Sequence, residues 1–316
     1  MIALPSSLRK VGVLAINRRN AQYVLKYNPR RLYPLVDDKL KTKQLALSHG
    51  IAAPELYGVI EVEGQVKGIT GMLEGLDDFV VKPARGSGGN GILVAAEKIG
   101  ATYRGPDGAI ISLEDIAYHI FNILSGLYSL GGQRDKAMIE YRVKFDPVFS
   151  AIAYQGVPDV RIIVFHGIPV MSMSRLPTRM SRGKANLHQG AIGVGIDMAS
   201  GTTLHGVWRN DIVHTHPDTG QELAGVTIPE WQRLLEIASA CYEITGLGYF
   251  GADIVLDAEK GPLILELNAR PGLNIQIANA AGLLPRLQLV EQLDAKPLSI
   301  KERTAFARTH FGLKAA

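Results

Sequence analysis

The sequence contains one cysteine, few aromatic residues and no long apolar run, and each scarcity excludes a class of protein. A single thiol, Cys241, cannot build a disulfide framework within the chain, and it fits a reducing compartment. No apolar stretch approaches the roughly 18–20 residues that a transmembrane helix needs. The first residues also lack the small-residue cleavage pattern of a signal peptide. We therefore expect a cytoplasmic protein without a transmembrane segment.

Excess charge of either sign is also scarce. The chain has 34 basic and 30 acidic side chains among 316 residues, and 47% of its residues are hydrophobic. This combination excludes intrinsic disorder over most of the chain. No basic cluster is interleaved with aromatic residues, so the pattern excludes a nucleic-acid partner. The mild net charge of +4 is interpreted as local positive charge for a phosphorylated ligand.

Glycine is abundant, with 34 residues, and this number is larger than a helical bundle needs. The length allows one large domain or two modest ones. Residues 1–36 are basic and predicted to be helical. Further along, strand patterns occur in hairpins that are separated by helices, and DVRIIVF and VMSMSRL are predicted to form one such hairpin. Residues 112–130 are predicted to form an amphipathic helix, with Ser112 as its cap and Asp115 at the capping-box position. This order indicates an α+β fold rather than a parallel, doubly wound sheet.

The segment with the clearest strand and turn pattern is a glycine-rich hairpin. Four glycines occupy Gly86–Gly91, between a predicted strand at Phe79–Lys82 and a returning strand at Ile92–Ala95. Such a loop can turn several backbone N–H groups toward one anion, because glycine tolerates positive φ angles. No lysine follows the glycines, so the loop is not a P-loop. Lys82 supplies a fixed cation beside the loop, although a plain flexible turn would also produce this glycine cluster.

A second hairpin brings acidic residues together. If Ala258–Gly261 forms its turn, Asp257 pairs with Pro262. Asp253 then lies directly opposite Glu266, and residues opposite each other share a face of the sheet.

Asn268 lies on the same face, two residues beyond Glu266. Two carboxylates and one carboxamide among apolar neighbours are costly unless a cation neutralises them. Mg²⁺ and Mn²⁺ prefer this kind of oxygen donor. The pattern therefore favours a metal site over three solvated residues on the outer face of an edge hairpin.

Four segments resemble the nucleotide-binding segments of the ATP-grasp superfamily. They are DDKLKTKQLALSHGIAAP, which contains Lys39, VVKPARGSGGNGI, MIEYRV and LELNARPGL. The resemblance covers roughly residues 37–290 and, within the superfamily, is greatest to RimK-like alpha-L-glutamate ligases. The segment YNPRRLYPLVDDK also resembles short ATP-grasp proteins associated with cell-surface sugar or envelope modification.

The resemblance implies an ATP-grasp fold in which two α+β subdomains clamp ATP. The expected domains are a helical N-terminal segment (1–36), a first-lysine helix and lid (37–140), a central metal-binding subdomain (141–295) and a tail (296–316). The family has a Rossmann-like domain before its first lysine. In its place we expect the short helical segment 1–36.

The resemblance also implies roles for individual residues. The residues expected to bind ATP are Lys39, Lys82, Gly86, Ser87, Gly88, Gly89, Gly91, Glu140 and Tyr141. Asp253, Glu266 and Asn268 would hold two Mg²⁺ ions, with Mn²⁺ as an alternative metal. Arg161, Arg270 and Asn186 would lie near the γ-phosphate and the acyl-phosphate. From the residues alone, Arg161 could instead form an ion pair with Asp159.

The implied activity is ATP- and Mg²⁺-dependent ligation of a carboxylate to an amine through an acyl-phosphate. The expected partners are a small amino acid such as glutamate and a peptide, protein or envelope acceptor, and the chain could form an oligomer. Two alternatives remain open. One is a kinase that stops after phosphoryl transfer, and the other is a nucleotide-binding module without catalysis.

Overall fold

The computed structural model describes residues 6–86, 88–293 and 298–313. The α-helices of this part are α1 (Ser6–Lys10), α2 (Ile16–Arg19), α3 (Leu25–Tyr27), α4 (Pro34–Asp37), α5 (Lys39–Ser48), α6 (Ile69–Met72), α7 (Leu113–Leu124), α8 (Trp231–Thr245), α9 (Ile275–Ala278), α10 (Leu284–Glu291) and α11 (Ile300–Phe311). Shorter pieces are a π-helical turn at Asn20–Val24 and 3-10 helices at Arg30–Leu32, Glu63–Gly68, Leu130–Gly132, Pro147–Phe149 and Leu187–Gln189.

The strands alternate with these helices along the chain. They are β1 (Leu56–Ile60), β2 (Phe79–Pro83), β3 (Leu93–Ala95), β4 (Glu97–Ile99), β5 (Thr102–Arg104), β6 (Ile110–Ile111), β7 (Ala137–Glu140), β8 (Asp159–Phe165), β9 (Ile168–Leu176), β10 (Ile192–Ile196), β11 (Thr203–Trp208), β12 (Asp211–Val213), β13 (Tyr249–Asp257) and β14 (Gly261–Asn268).

The chain divides into two compact units. The large unit comprises the described residues of Met1–Asp37, Lys41–Ala52 and Phe145–Ala316, and the small unit those of Asp38–Leu40 and Ala53–Lys144. The domain boundaries expected from the sequence, at residues 36, 140 and 295, stay predictions.

The large unit contains a seven-stranded antiparallel sheet in the order β12-β11-β10-β9-β8-β13-β14. Both predicted hairpins of this region, β8–β9 and β13–β14, are present. Helices α8 and α11 pack against the sheet. Every residue of β8 and β13 is buried, which explains why these strands read as nearly continuous apolar runs with isolated charges.

The N-terminal segment is helical over most of residues 6–37, as predicted, and it belongs to the large unit. Asn28 joins it to the sheet: its Nδ2 donates to the Tyr249 carbonyl at 2.6 Å, and its Oδ1 accepts from the Tyr249 N–H at 2.9 Å. An amide side chain that replaces a missing strand partner in this way fixes the segment against β13.

The small unit contains a four-stranded sheet in the order β1-β7-β2-β3 and a three-stranded sheet of β4, β5 and β6. Helix α7 begins with the predicted capping box, in which Ser112 Oγ accepts from the Asp115 N–H and Asp115 Oδ2 accepts from the Ser112 N–H. It ends at Leu124, six residues before the predicted end. The reason is Gly126, whose φ of +86° lies in the left-handed region.

Candidate functional site

The two lysines expected to bind nucleotide converge in the small unit. Lys39 is the first residue of α5, and its Nζ donates to the Gly86 carbonyl at 2.6 Å, while its N–H donates to the Ala84 carbonyl at 2.8 Å. Lys82 lies on β2, the strand that leads into this loop. Lys39 thus contacts the glycine loop, and Lys82 lies two residues before Ala84 on the strand that leads into it.

Lys82 is buried and forms an ion pair with Glu140 on the neighbouring strand β7. The register places Lys82 opposite Met138 and Val80 opposite Glu140, so the two charged side chains share one face of the sheet. The backbone N–H of Tyr141 donates to the Glu55 carbonyl at 2.9 Å. The adenine-binding roles of Glu140 and Tyr141 stay predictions.

The glycine loop adopts the conformation that its composition predicts. Gly88, Gly89 and Gly91 have φ angles of +66°, +75° and +75°. Gly86 has an ordinary φ, and its glycine is required for space, because a Cβ there would lie 2.2 Å from the Pro83 side chain. Ser87, the remaining predicted contact of this loop, lies outside the described residues.

Two buried or half-buried side chains that the sequence did not reveal hold this loop. Asp135 accepts from the Arg85 N–H at 2.9 Å and from Ser129 Oγ at 2.6 Å. His119 Nε2 donates to the Gly91 carbonyl at 2.9 Å, which requires the proton on Nε2. The tertiary structure brings both residues to the loop, so no local sequence pattern predicts Asp135 or His119 as a loop contact.

In the large unit, the hairpin β13–β14 places Asp253 opposite Glu266, as expected. The turn is one residue shorter than predicted, so the expected pairing of Asp257 with Pro262 is wrong, and Asp257 pairs with Gly261. A β-bulge next to Asp253 then shifts the register by one residue and restores the predicted pair.

The face that carries Asp253 also carries two arginines on the next two strands. Arg161 on β8 donates through Nε and Nη2 to the two carboxylate oxygens of Asp253, at 2.7 and 2.6 Å. Arg175 on β9 donates to Asp253 Oδ2 at 2.6 Å and also binds Asp159 through two hydrogen bonds. The alternative partner suggested for Arg161 is therefore wrong, since Asp159 binds Arg175.

We call Asp159, Arg161, Arg175 and Asp253 the buried charge network. Asp159, Arg161 and Asp253 are less than 10% exposed, and the Arg175 side chain is 12% exposed. All four lie on one face of the sheet. Burial pushes the pKa of Asp253 upward, but the charges of Arg161 and Arg175 outweigh it and hold that pKa well below its usual range. For Asp159, burial dominates over the Arg175 charge and raises the pKa to about 6.

The predicted metal-binding set is only partly open to a divalent cation, because both oxygens of Asp253 accept hydrogen bonds from Arg161 and Arg175. Glu266 and Asn268 are half-buried on the same face as Asp253, and all three present oxygen donors. The Asn268 Oδ1 accepts from the Arg270 N–H at 2.8 Å. Within the described residues, no three side chains of the His, Cys, Asp and Glu types are grouped to hold a metal. The metal assignment thus depends on Asn268 and stays a prediction.

The other two residues expected near the transferred phosphate also lie in the large unit. Asn186 caps the 3-10 helix Leu187–Gln189, and its Oδ1 accepts from the His188 N–H at 3.0 Å. Arg270 is exposed, and its guanidinium lies 5.0 Å from the centre of the Tyr33 ring. Asn186 therefore caps this short helix, and Arg270 presents its charge to solvent. The expected roles of both residues near the transferred phosphate stay predictions.

In the described part of the chain, no helix has the length and apolar character that crossing a membrane requires. A search of curated proteins returned no match.

Solved structures are similar to this chain at low sequence identity. Biotin carboxylase from Campylobacter jejuni is 14% identical, with a TM-score of 0.52 over 86% of this chain and 49% of that one. D-cycloserine synthetase DcsG is 16% identical, with a TM-score of 0.48 over 85% and 74%. The ATP-grasp ligase PsnB is 13% identical, with a TM-score of 0.45 over 84% and 64%, so the chain spans less than two thirds of PsnB.

A family model described as sugar-transfer associated ATP-grasp matches residues 18–292. The match covers both the glycine loop and the hairpin β13–β14, and the biotin carboxylase likeness agrees with it at the level of the fold. Together they confirm the ATP-grasp fold that the sequence predicted. The chain belongs to the sugar-transfer associated ATP-grasp family.

Proposed function

We propose that this protein is an ATP- and Mg²⁺-dependent ligase that joins a carboxylate to an amine through an acyl-phosphate. The observation that carries the proposal is the placement of two lysines at the glycine loop: Lys39 binds its Gly86 carbonyl, and Lys82 lies on the strand that leads into it. Phosphoryl transfer needs little covalent help from a protein and depends on placed cations and backbone donors. The small unit supplies both.

Lys82 is suited to bind a phosphate oxygen while it keeps its ion pair with Glu140. An ammonium group has three donors and acts as a compact point charge. Lys39 already binds a carbonyl oxygen of the loop, so the position of its ammonium group is coupled to that of the loop. We propose that both lysines bind the α- and β-phosphates, and that Gly86–Gly91 cover the β- and γ-phosphates.

We propose that Asp253, Glu266 and Asn268 hold Mg²⁺, which when bound would neutralise phosphate charge and orient the phosphates. Arg161 and Arg175 fix the Asp253 carboxylate in its ionised form. Since Nε and Nη2 of Arg161 bind Asp253, we assign Arg161 as a positioning residue rather than a contact of the γ-phosphate.

In the proposed reaction, a substrate carboxylate attacks the γ-phosphate of ATP and releases ADP. An amine then attacks the acyl carbon and expels phosphate. The exposed Arg270 guanidinium is proposed to stabilise the negative charge of the acyl-phosphate. The proposed acid is an amino acid such as glutamate, and the family's association with sugar transfer supports an envelope acceptor beside peptides and proteins. A cytoplasmic location and RimK-like specificity remain part of this proposal.

The deciding experiment measures ADP release from ATP and Mg²⁺ against a matrix of acids and amines. Release that requires both an acid and an amine supports ligation. Release with a stable phosphorylated product would identify a kinase instead. Tight ATP binding without turnover for any pair would identify a binding module.

Two matched variant pairs test the assigned residues. Lys39→Ala should weaken ATP binding at least about tenfold by loss of a charge-assisted contact, whereas Lys41→Ala, an exposed position on the same helix, should not. Glu266→Gln should abolish Mg²⁺-dependent turnover, and Glu259→Gln, in the turn of the same hairpin, should keep it. Equal behaviour within either pair contradicts the corresponding assignment.

A further inference from the structure

A cavity in the large unit is formed by two distant parts of the sequence. Its volume is about 320 Å³. It is lined by Asn20, Val24, Leu25, Arg30, Tyr33 and Arg270. Ligand pockets in proteins begin at about 300 Å³, so this cavity suits a small molecule. Five of its residues come from the N-terminal segment, and Arg270 follows the proposed metal-binding strand.

Two arginines give the cavity a positive charge. Within the described ranges, neither Arg30 nor Arg270 forms an ion pair with an acidic side chain. Burial lowers the pKa of Arg19, and the nearby charge of Arg270 lowers it further. Several guanidinium groups therefore lie close together at this site, and an anion between them would relieve their repulsion.

The net charge of the N-terminal segment, residues 1–36, also favours an anionic ligand. Residues 1–36 contain seven Lys and Arg residues and no Asp or Glu, whereas the rest of the chain has 27 basic and 30 acidic residues. The positive excess of the protein is thus confined to the segment that forms the cavity.

The backbone of the cavity wall is unusual. Asn20–Val24 forms a π-helical turn, closed by the Leu25 N–H donating to the Asn20 carbonyl. Such turns are rare and occur frequently at functional sites. Because the hydrogen bond spans five residues, the turn brings positions 20, 24 and 25 to the same cavity.

Apart from the polar Asn20, the remaining lining is apolar. Val24 and Tyr33 are buried, whereas Leu25 is exposed. Arginine matches a carboxylate through paired hydrogen bonds in one plane. Apolar side chains that share a cavity with two arginines complement an aliphatic chain with a carboxylate at each end.

We propose that this cavity binds a small dicarboxylate of amino-acid size, with Arg30 and Arg270 on its carboxylates and Val24, Leu25 and Tyr33 against its carbon chain. The assignment rests on the proposed function, because it identifies the acid that the ligase would activate.

The test is calorimetric titration of the full chain, without nucleotide, with L-glutamate, glutarate, L-glutamine and inorganic phosphate as probes. We expect both dicarboxylates to bind more tightly than L-glutamine and phosphate. Arg30→Gln should weaken dicarboxylate binding at least about tenfold, a loss that corresponds to one charge-assisted contact. Arg31→Gln is the matched control, since Arg31 is the exposed neighbour on the same 3-10 helix and does not line the cavity.

Several outcomes overturn the assignment. They are an absence of dicarboxylate binding to the wild type, equal binding by the Arg30→Gln variant, and preferential binding of phosphate that depends on Arg30. The proposed function fails separately: dicarboxylate binding that depends on Arg30, without ADP release for any acid and amine, would leave the cavity assignment intact. Ligation that is unchanged in Arg30→Gln would remove the cavity assignment alone.

Discussion

The two units bury their charged side chains in different ways. The large unit joins two carboxylates and two guanidinium groups in the buried charge network, in which Asp253 binds both arginines. The small unit buries the pair Lys82–Glu140. A closed network of planar guanidinium groups fixes the geometry of its members. A lone ammonium can exchange or add partners, which suits a group that must bind and release phosphate.

The largest effect is expected from a substitution that breaks the buried charge network. Asp253→Asn keeps the shape of the side chain but leaves the Arg161 charge without its counterion, and removing one partner of a buried pair costs up to about 5 kcal/mol. Urea unfolding in EDTA should show this loss. Asp211→Asn, at an exposed position on β12, makes the same charge change and should leave the free energy of unfolding unchanged. Equal stability of the two variants would contradict the network's structural role.

Removing the cation of the buried pair in the small unit should cost less, about 3 kcal/mol, because it takes one counterion from one carboxylate, whereas Asp253 is the partner of two guanidinium groups. Lys82→Met would remove the Lys82 counterion of the Glu140 carboxylate. The double variant Lys82→Met, Glu140→Gln should recover most of the stability without recovering ATP binding. Recovery of ATP binding in the double variant would show that Lys82 serves the fold alone.

A smaller effect is expected in the glycine loop. Gly91 and Gly75 have nearly equal φ angles, +75° and +77°, but a Cβ at Gly91 would lie 2.4 Å from the Tyr128 ring, whereas one at Gly75 meets open space. Gly75→Ala should cost about 1–2 kcal/mol for the left-handed conformation alone. Gly91→Ala should lower the melting temperature further and weaken ATP binding. Equal melting temperatures of the two variants would show that Tyr128 does not constrain the loop.

The smallest expected effect concerns His119 of the small unit. The buried charge network of the large unit contains no histidine. Burial lowers the pKa of His119 below its ordinary value of 6.5. The unfolded chain therefore takes up a proton first as the pH falls through 6.5, and stability present above that pH is lost below it. His119→Gln should show a smaller drop in melting temperature between pH 7.5 and 5.5 than the wild type. A drop of the same size would exclude a contribution from His119.

The strongest sequence predictions concerned features with local causes. The Ser112 cap, the β8–β9 and β13–β14 hairpins, and the positive φ angles of the glycine loop follow from residue type and short spacing. The pairing of Asp253 with Glu266 was predicted from a turn of the wrong length, and the bulge in β13–β14 compensated for the error.

A second bulge explains why Arg175 was missed. The turn at the end of β8 pairs Phe165 with Ile168, and an unbroken register from there would place Asp159 opposite Ser174. The bulge between Ile163 and Val164 shifts the pairing so that Asp159 meets Arg175. A shift of one residue moves a side chain to the other face, and no local signal in the sequence records it.

The sequence by itself determined the α+β class, the hairpins and the glycine loop, because periodicity and turn chemistry are properties of neighbouring residues. Its resemblance to the ATP-grasp superfamily supplied the fold and the candidate lysines. The tertiary structure alone decided that Arg175 completes the buried charge network, that Asp135 and His119 hold the glycine loop, and that the N-terminal segment encloses a cavity with Arg270. These contacts join residues far apart in the chain. Only register, bulges and the packing of one element on another bring such residues within bonding distance.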